Sequence, residues 1–483
     1  MAKAIKFGTD GWRGVIADDF TFERVAVVAP IAAQILAKNY GTSTGSHTVI
    51  VGHDRRFMAE EFARLAATAI QKAGFDVLLT DTYAPTPAFS LAAVKQQALG
   101  AIVLTASHNP GIYLGLKVKG AFGGSVSPEI TKQIEDLLPP RFDDSEYLSA
   151  PTPGKLTTFN PWPDYAETLR KKVDINLIKQ AISQGKLTVF ADVMHGAAAG
   201  GLAEILGVPI MEVNSNRDPL FDGGAPEPLP RYTKKTSAEI LSYRQAHPQS
   251  LTIGLVFDGD SDRIAAIDQN GQFLSCQILI PILIEHLATR RQFTGEVVKT
   301  ISCSDIFPKI AQLYNLQVFE TPIGYKYIAD RMLVSPVLVG GEESGGIGYG
   351  NHIPERDALL SALYLLEAVV MSGRSLGELY QDLEAKTNFT GVYDRIDLHL
   401  ANMLIPAKIS QQLQSQPPQE IAGQAVTDIL SIDGYKFRLA DGRWLLIRFS
   451  GTEPVLRLYC EAENNEKVQA TLNWAKDWAN QFT

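Results

Sequence analysis

Short apolar runs alternate with longer amphipathic stretches along most of the chain. In one such unit, TVIVG at 48–52 precedes MAEEFARLAATAIQKAG at 58–74, and FDVLLT follows at 75–80. Runs rich in Val, Ile and Leu are typical of buried strands, and apolar residues at intervals of three or four are typical of a surface helix. The pattern therefore predicts a β-α-β unit with parallel strands.

The same alternation recurs further along the chain. LTVFAD at 187–192 leads into AAAGGLAEILG, and EVVKTI at 296–301 leads into SDIFPKIAQLYN. Near the C-terminus two strand-like runs, WLLIRF and VLRLYCEA, follow each other before a closing helix. We expect several α/β units with largely parallel sheets and then an α+β domain, with connections in the proline-rich stretches 138–163 and 412–420.

Composition narrows the class of protein. A chain of 483 residues is too long for one core and suggests about three domains. Its 45% apolar and 20% charged residues are ordinary for a globular protein. The net charge of -9 has the wrong sign for a general nucleic-acid binder, so no nucleic-acid partner is expected.

No membrane partner is expected either. The longest apolar stretches are interrupted by Pro30 and Gln34, or by Pro281 and Glu285, well short of the roughly 20 residues that span a bilayer. The start of the sequence, MAKAIKFGTDGWRG, lacks the apolar stretch of a signal peptide, and the three cysteines form no CxxC pair. These features predict a cytoplasmic protein with reduced thiols.

A candidate reactive loop follows the strand-like run AIVLTA at 101–106. There Ser107 and His108 precede Asn109 and Pro110, at the end of a buried strand where open α/β sheets bind ligands. A strand-to-helix turn that uses Ser and Asn for backbone bonds would explain the same residues. No GxSxG elbow surrounds Ser107, which disfavours a triad hydrolase.

A candidate metal loop follows LTIGLVF. Asp258, Asp260 and Asp262 stand at every second position, so in an extended loop their carboxylates would converge on one side. Oxygen ligands suit Mg²⁺ or Ca²⁺, but an EF-hand is excluded because Arg263 stands where that loop needs glycine. A solvated acidic turn is disfavoured, since three like charges at the end of an apolar strand repel without a cation.

Two further loops suggest ligand binding. The segment GGEESGG at 340–346 places two carboxylates on a glycine frame, which could accept hydrogen bonds from sugar hydroxyls or could be a surface loop. The segment RFSGTEP at 448–454, with Arg457 beyond, offers guanidinium, hydroxyl and backbone N–H groups to a phosphate. A hairpin turn would explain that segment equally well.

Taken together, the loops resemble those of the α-D-phosphohexomutase family, which includes phosphoglucomutases and phosphomannomutases. The matching motifs occur in the family's order along nearly the whole chain: FGTDGWRG (7–14), TASHNP (105–110), DGDSDR (258–263), GEESGG (341–346) and RFSGTEP (448–454). The resemblance implies four domains around a central cleft, three of them α/β with mixed sheets and the last α+β. We expect a phosphoserine-loop domain at 1–150, a metal-binding domain at 151–272, a sugar-loop domain at 273–386 and a phosphate-binding domain at 387–483.

The resemblance also implies an activity. Ser107 would carry a phosphoryl group and exchange it with a hexose monophosphate through a hexose 1,6-bisphosphate, which interconverts glucose 1-phosphate and glucose 6-phosphate. Ser107 and the three aspartates would hold Mg²⁺, and hexose monophosphates would be the partners. Phosphomannomutase and phosphoglucosamine mutase are the alternatives, although the GEESGG form favours glucose. A metal-dependent phosphatase and a non-catalytic sugar-phosphate sensor are the competing classes, and the oligomeric state is left open.

The family's functional positions carry over residue by residue. His108 and Lys117 become candidates for proton transfer, and Arg13, Lys117 and Arg263 would surround the phosphoserine. The positions implied for substrate binding are Glu342, Ser344, Gly324, Lys326, His352, Arg448, Ser450, Gly451, Thr452 and Arg457. One departure is Leu114, which stands where the family commonly has Asn, so a polar side chain is expected to be missing beside the active site.

Overall fold

The computed structural model describes residues 4–8, 10–142, 150–401, 404–449 and 455–482. The predicted alternation of strands and helices is confirmed throughout the α/β part of the chain. The chain divides into two compact units, residues 1–295 with 324–379, and residues 296–323 with 380–483.

The first sheet contains the strands β1 (Phe7–Gly8), β2 (Gly11–Val15), β3 (Thr48–His53), β4 (Asp76–Thr80), β5 (Gly100–Leu104), β6 (Tyr113–Gly120) and β7 (Leu156–Phe159). Their order is β1-β2-β6-β5-β3-β4-β7. The pairs β3–β4, β3–β5 and β4–β7 are parallel, whereas β5–β6 and β2–β6 are antiparallel. The sheet is therefore mixed, and the loop after β5 leads into a neighbouring strand rather than into a helix.

Four helices accompany this sheet: α1 (Phe22–Thr44), α2 (Ala59–Lys72), α3 (Thr86–Lys95) and α4 (Pro128–Asp136). Helix α1 begins where the side chain of Thr21 accepts a hydrogen bond from the backbone N–H of Arg24. It ends at Gly45, whose φ of 63° closes the helix without a side-chain clash. Apolar side chains of α1 and α2 pack with those of the strands in one buried core.

The second sheet contains β8 (Leu187–Asp192), β9 (Met211–Val213), β10 (Leu251–Phe257), β11 (Ile264–Ile267) and β12 (Phe273–Leu274), in the order β12-β11-β10-β8-β9. Its helices are α5 (Trp162–Arg170), α6 (Ile175–Ser183), α7 (Gly201–Leu206) and α8 (Lys234–Ala246). β8 is parallel to β9 and β10, while β11 is antiparallel to β10. A tight reversal between β10 and β11 is therefore required.

The third region contains β13 (Glu296–Thr300) parallel to β14 (Val318–Thr321), and β15 (Val337–Gly341) antiparallel to β16 (Ile347–Gly348). Its helices are α9 (Cys276–Thr289), α10 (Ile306–Leu313), α11 (Tyr325–Val334), α12 (Ala358–Ser372) and α13 (Leu376–Thr387). Asp357 caps α12 by accepting from the backbone N–H of Leu360. The buried face of α12 includes Leu359, Leu363 and Leu366.

The last sheet contains β17 (Val392–His399), β18 (Glu420–Ile421), β19 (Gln424–Leu430), β20 (Tyr435–Leu439), β21 (Trp444–Phe449) and β22 (Val455–Ala462). Its order is β17-β22-β21-β20-β19-β18, with antiparallel pairs throughout. Helices α14 (Leu404–Ser415) and α15 (Asn465–Asn480) complete the predicted α+β domain. The four domain boundaries placed from sequence stay predictions.

Within the described ranges, no single helix is both long and apolar enough to span a membrane. Helices α12 and α13 meet that test only as a pair, bent by 77°.

Two glycines of the first domain should respond in opposite ways to alanine. Gly41 lies inside α1, and an added Cβ would meet only Leu99, at 3.9 Å, so Gly41→Ala should stabilise the fold by about 0.5–1 kcal/mol. Gly52 lies in β3, where a Cβ would sit 2.4 Å from the ring of Phe89. Gly52→Ala should therefore destabilise by roughly 1–3 kcal/mol. Thermal unfolding followed by circular dichroism measures both, and shifts of the same sign would contradict the packing described.

Candidate functional site

Ser107 lies in the loop that joins β5 to the antiparallel strand β6. Its side chain is buried and its φ is 52°, a left-handed conformation that is rare outside glycine. The Oγ atom of Ser107 donates a hydrogen bond to Oδ2 of Asp258 at 2.8 Å. Nδ1 of His108 lies 3.3 Å from Ser107 Oγ. The serine hydroxyl thus points into the metal loop and has an imidazole beside it.

The metal loop is the reversal between β10 and β11. The extended loop expected from sequence is wrong, because the antiparallel strands require a tight turn, with Ser261 at a φ of 57°. Oδ1 of Asp258 accepts from the backbone N–H groups of Asp262 and Arg263, at 3.0 and 3.1 Å. The turn, rather than strand alternation, brings the carboxylates together.

The three aspartates fit a divalent cation. One carboxylate oxygen from each of Asp258, Asp260 and Asp262 lies within 4.8 Å of the others, and all three residues are buried. Among the described residues, Oδ1 of Asp260 and Oδ1 of Asp262 are buried without a hydrogen-bond partner. Burial and the two neighbouring carboxylates raise the pKa of Asp258 well above its usual value. Carboxylate oxygens are the ligands that Mg²⁺ prefers, and Ser107 Oγ lies beside them.

Lys117 lies on β6 and reaches the same carboxylates. Its Nζ lies 2.6 Å from Asp10, 2.7 Å from Asp260 and 2.8 Å from Asp262. An ammonium group has three protons, and three carboxylates accept them here. Burial lowers the pKa of Lys117, but the three carboxylates outweigh burial and raise it. The lysine therefore stays charged.

A second buried cation was not predicted from sequence. Nη2 of Arg356 donates to Oδ2 of Asp10 at 2.5 Å and to Oδ2 of Asp262 at 2.6 Å. Lys119 lies nearby, 2.5 Å from Glu355 and 3.3 Å from Asp10. Asp10 and Arg356 belong to the segments FGTDGWRG and GNHIPERD, but no sequence pattern indicates that they form an ion pair.

Thr86, at the start of α3, also contacts the metal loop and was not predicted from sequence. Its Oγ1 donates to Oδ2 of Asp260 at 2.5 Å, and its backbone N–H donates to the Asp260 carbonyl at 3.0 Å. The first sheet's α3 thus holds the metal loop in place.

The glycine-rich sugar loop joins β15 to β16 and contacts the metal loop directly. Gly346 forms an isolated β-bridge with Arg263, and Gly345 accepts from the backbone N–H of Ile264 at 2.9 Å. Glu342 is buried, and its Oε1 accepts from the backbone N–H of Gly324 at 3.0 Å. Burial raises the pKa of Glu342 to about 7. The structure thus brings Glu342 and Gly324 together, beside the metal loop.

The sequence also predicted four other site residues: Arg13, His108, Lys326 and Ser344. Arg13 donates to Oδ1 of Asn109 in the serine loop at 2.5 Å, and Ser344 is half-buried in the sugar loop. Burial, together with Arg263 and Arg13, lowers the pKa of His108 well below its usual value. Lys326 lies over the ring of its neighbour Tyr327.

His352 contacts a helix cap. Its Nε2 lies 3.0 Å from Oδ2 of Asp357, whose Oδ1 also accepts from the hydroxyl of Tyr165 at 2.7 Å. These contacts place His352 against the cap of α12, and its substrate contact stays a prediction.

The expected loss of a polar group at Leu114 is wrong. Leu114 is fully buried in the core of the first sheet, together with Leu116 and Val118 of the same strand. Lys117 and Lys119, on the alternate positions, face the carboxylates instead. A side chain at position 114 therefore packs in the core and does not line the site.

The predicted phosphate residues lie in the unit formed by 296–323 and 380–483. Arg448 and Arg457 stand directly opposite each other on β21 and β22, so two cations share one face of the sheet. Nε of Arg448 donates to Asp433 at 2.8 Å, and Nε of Arg457 is buried with no hydrogen-bond partner among the described residues. The predicted positions Ser450, Gly451 and Thr452 lie outside the described residues.

Comparison with known families matches the chain in four consecutive segments. They correspond to phosphoglucomutase/phosphomannomutase alpha/beta/alpha domain I at 4–141, domain II at 163–271, domain III at 277–387 and the C-terminal domain at 407–473.

Individual proteins resemble the chain over nearly their full length. The probable phosphoglucosamine mutase of Methanosphaera stadtmanae is 28% identical over 99% of this chain and 97% of its own. The phosphoglucomutase/phosphomannomutase of Thermococcus kodakarensis is 29% identical over 96% of each chain. The crystal structure of a putative phosphomannomutase from Thermus thermophilus is 31% identical, with a TM-score of 0.84 over 99% of this chain and 100% of that one.

The cation site generates a direct prediction. Asp260→Asn keeps the shape but removes one charge, and it should weaken Mg²⁺ or Mn²⁺ binding by at least about 10-fold, since even outer-shell changes cost that much. Isothermal titration calorimetry measures this without relying on activity. Asp136→Asn serves as a control, because its carboxylate is exposed and belongs to neither of the two groups of described residues that could hold a metal ion. Equal affinities for Asp260→Asn and the wild type would exclude this cation site.

Proposed function

The chain belongs to the α-D-phosphohexomutase family, and on that premise we propose that Ser107 is the residue that carries the transferred phosphoryl group. The protein is a phosphohexomutase, an intramolecular phosphotransferase. One observation carries the proposal: the Ser107 hydroxyl is directed at Asp258 within a buried group of three carboxylates. That arrangement suits a serine oxygen that shares a cation with the phosphoryl group it bears.

The proposed chemistry has two balanced half-reactions. In the first, the bond between phosphorus and Ser107 Oγ breaks as a bond forms to the free hydroxyl of a hexose monophosphate, whose proton leaves to a base. The resulting hexose 1,6-bisphosphate turns around. The bond between its other phosphorus and the sugar oxygen then breaks as a bond forms to Ser107 Oγ, and the base returns the proton to that sugar oxygen. Mg²⁺ held by Asp258, Asp260 and Asp262 would offset the negative charge on the transferring group.

The remaining roles are charge neutralisation, proton transfer and contact with the phosphoryl group. Lys117 donates to three carboxylates and so neutralises charge, which leaves His108, 3.3 Å from Ser107 Oγ, as the candidate that takes the sugar proton. Arg13, on β2, donates to Asn109 of the serine loop, and Arg263 ends the metal loop. Both guanidinium groups would contact phosphoryl oxygens.

Two other sites would bind the rest of the substrate. Glu342 and Ser344 are proposed to bind sugar hydroxyls. The opposed cations Arg448 and Arg457, with Ser450, Gly451 and Thr452, are proposed to bind the phosphate that is not being transferred.

The sugar itself is the finer part of the proposal. Glucosamine phosphate is the first candidate, because relatives that match nearly the whole chain are named for it. Glucose phosphate is the second, since the GEESGG form of the sugar loop favours glucose and the Thermococcus kodakarensis protein is named for glucose and mannose.

Ser107→Ala removes the phosphoryl carrier and should abolish mutase turnover, while the three aspartates should keep Mg²⁺ binding largely intact. Intact-protein mass spectrometry should show one phosphoryl adduct on the wild type and none on Ser107→Ala. Ser90→Ala is the matched control, because Ser90 is a buried serine whose Oγ has no hydrogen-bond partner among the described residues. Turnover by Ser107→Ala near that of Ser90→Ala would refute the role of Ser107.

The sugar is tested with wild-type protein. Glucosamine 1-phosphate, glucose 1-phosphate and mannose 1-phosphate are each supplied with Mg²⁺ and a trace of the matching bisphosphate. We expect kcat/KM to be highest for glucosamine 1-phosphate, with glucose 1-phosphate second. A higher value for glucose would overturn the order of the candidates but not the mutase assignment, whereas release of inorganic phosphate in step with turnover would indicate a phosphatase.

A further inference from the structure

Arg56 is a buried arginine that the proposed chemistry does not use. It follows β3, is 1% exposed, and its guanidinium donates to four backbone carbonyls of the serine loop. The acceptors are the carbonyls of Ser107 at 2.6 Å, Asn109 at 2.6 Å, Pro110 at 3.1 Å and Tyr113 at 3.2 Å. One side chain therefore holds the loop from Ser107 to the start of β6.

The backbone N–H of Ser107 is also held, through Thr105 and Asp54, by hydrogen bonds that lead to Arg56. The backbone N–H of Ser107 donates to Oγ1 of Thr105 at 2.9 Å, and that hydroxyl donates to Oδ2 of Asp54 at 2.5 Å. Asp54 lies 3.3 Å from Nε of Arg56 and accepts from its backbone N–H at 2.9 Å. Both peptide groups of Ser107 are thus bonded, directly or through Thr105, to the Asp54–Arg56 pair.

These hydrogen bonds restrain a residue whose backbone conformation is strained. Ser107 has a φ of 52°, and a non-glycine residue in that region is strained, so the surrounding structure must hold it there. Hydrogen bonds from a charged donor are roughly twice as strong as neutral ones. The ring of Phe221 covers the guanidinium, 4.8 Å from its carbon, and shields these bonds from water.

We propose that Arg56 is a positioning residue, which holds Ser107 in the strained conformation that directs Oγ toward Asp258. The proposal rests on the function assigned to Ser107, but the restraint on the loop can be measured separately. Lysine cannot replace arginine here, because a single ammonium cannot reach four carbonyls arranged around a planar fork.

The test compares Arg56→Lys with wild type and with a matched control. Arg55→Lys makes the same change one residue away, where the guanidinium donates to the carbonyl of Ser215 and lies over the ring of Tyr83. For Arg56→Lys we expect kcat to fall roughly 100-fold, as a misplacement of about 1 Å does, with KM nearly unchanged. Arg55→Lys should keep kcat near that of wild type.

A second measurement does not depend on activity. Hydrogen–deuterium exchange followed by mass spectrometry should show faster exchange in the peptide 105–113 of Arg56→Lys, with peptides from β8 and β10 unchanged. A general loss of stability would instead raise exchange in all of these peptides, and that result would overturn a positioning role. A kcat equal to that of wild type, or unchanged exchange at 105–113, would overturn it as well.

The two proposals fail in different ways. If wild-type protein shows no mutase turnover, the proposed function fails, while the exchange measurement still decides whether Arg56 restrains the serine loop. If the wild type is active and Arg56→Lys matches it, only the role of Arg56 is lost. Thr105→Val and Thr105→Ser complete the comparison, because only the serine variant keeps the hydroxyl between Asp54 and Ser107, and it alone should retain kcat.

Discussion

Burial of several carboxylates at one point is the constraint on which this site depends. Asp258, Asp260 and Asp262 are withdrawn from water together, and like charges in such a place repel strongly unless cations offset them. Lys117 and Arg356 supply part of that offset through short ion pairs. One oxygen each of Asp260 and Asp262 is buried and has no hydrogen-bond partner among the described residues, so both are suited to bind a divalent cation.

Ion pairs connect these carboxylates with segments that are far apart in sequence. Asp10 and Lys117 come from the first sheet, the aspartate loop comes from the second, and Arg356 lies just before α12. The β-bridge between Arg263 and Gly346 adds the sugar loop to the same place. Removing one partner of such a buried group leaves the others uncompensated, which costs several kcal/mol in comparable cases. The network therefore fixes the loops relative to each other and balances the charge of the buried carboxylates.

Sequence reasoning predicted most of the fold and the centre of the site. The β-α-β pattern, the α+β C-terminal domain and the convergence of the three aspartates all followed from hydrophobic pattern, motif and charge. The mixed sheets followed only from the family resemblance, since the hydrophobic pattern predicted largely parallel ones. Neither identified β5–β6 and β10–β11 as antiparallel pairs, and the turn at Ser261 was missed. Leu114 was misjudged for a related reason, because which face of β6 it occupies depends on pairing. Thr86, Arg56 and Arg356 were missed because hydrogen bonds between distant segments leave no local pattern.

Transfer of label from the serine tests the central claim most directly. Protein phosphorylated with ³²P from a labelled hexose 1,6-bisphosphate, purified and mixed with unlabelled hexose monophosphate and Mg²⁺, should lose its label in a single turnover. The account predicts that the label appears in hexose bisphosphate and monophosphate, with none released as inorganic phosphate. Label that passes to water, or protein that never takes up label at Ser107, would contradict it.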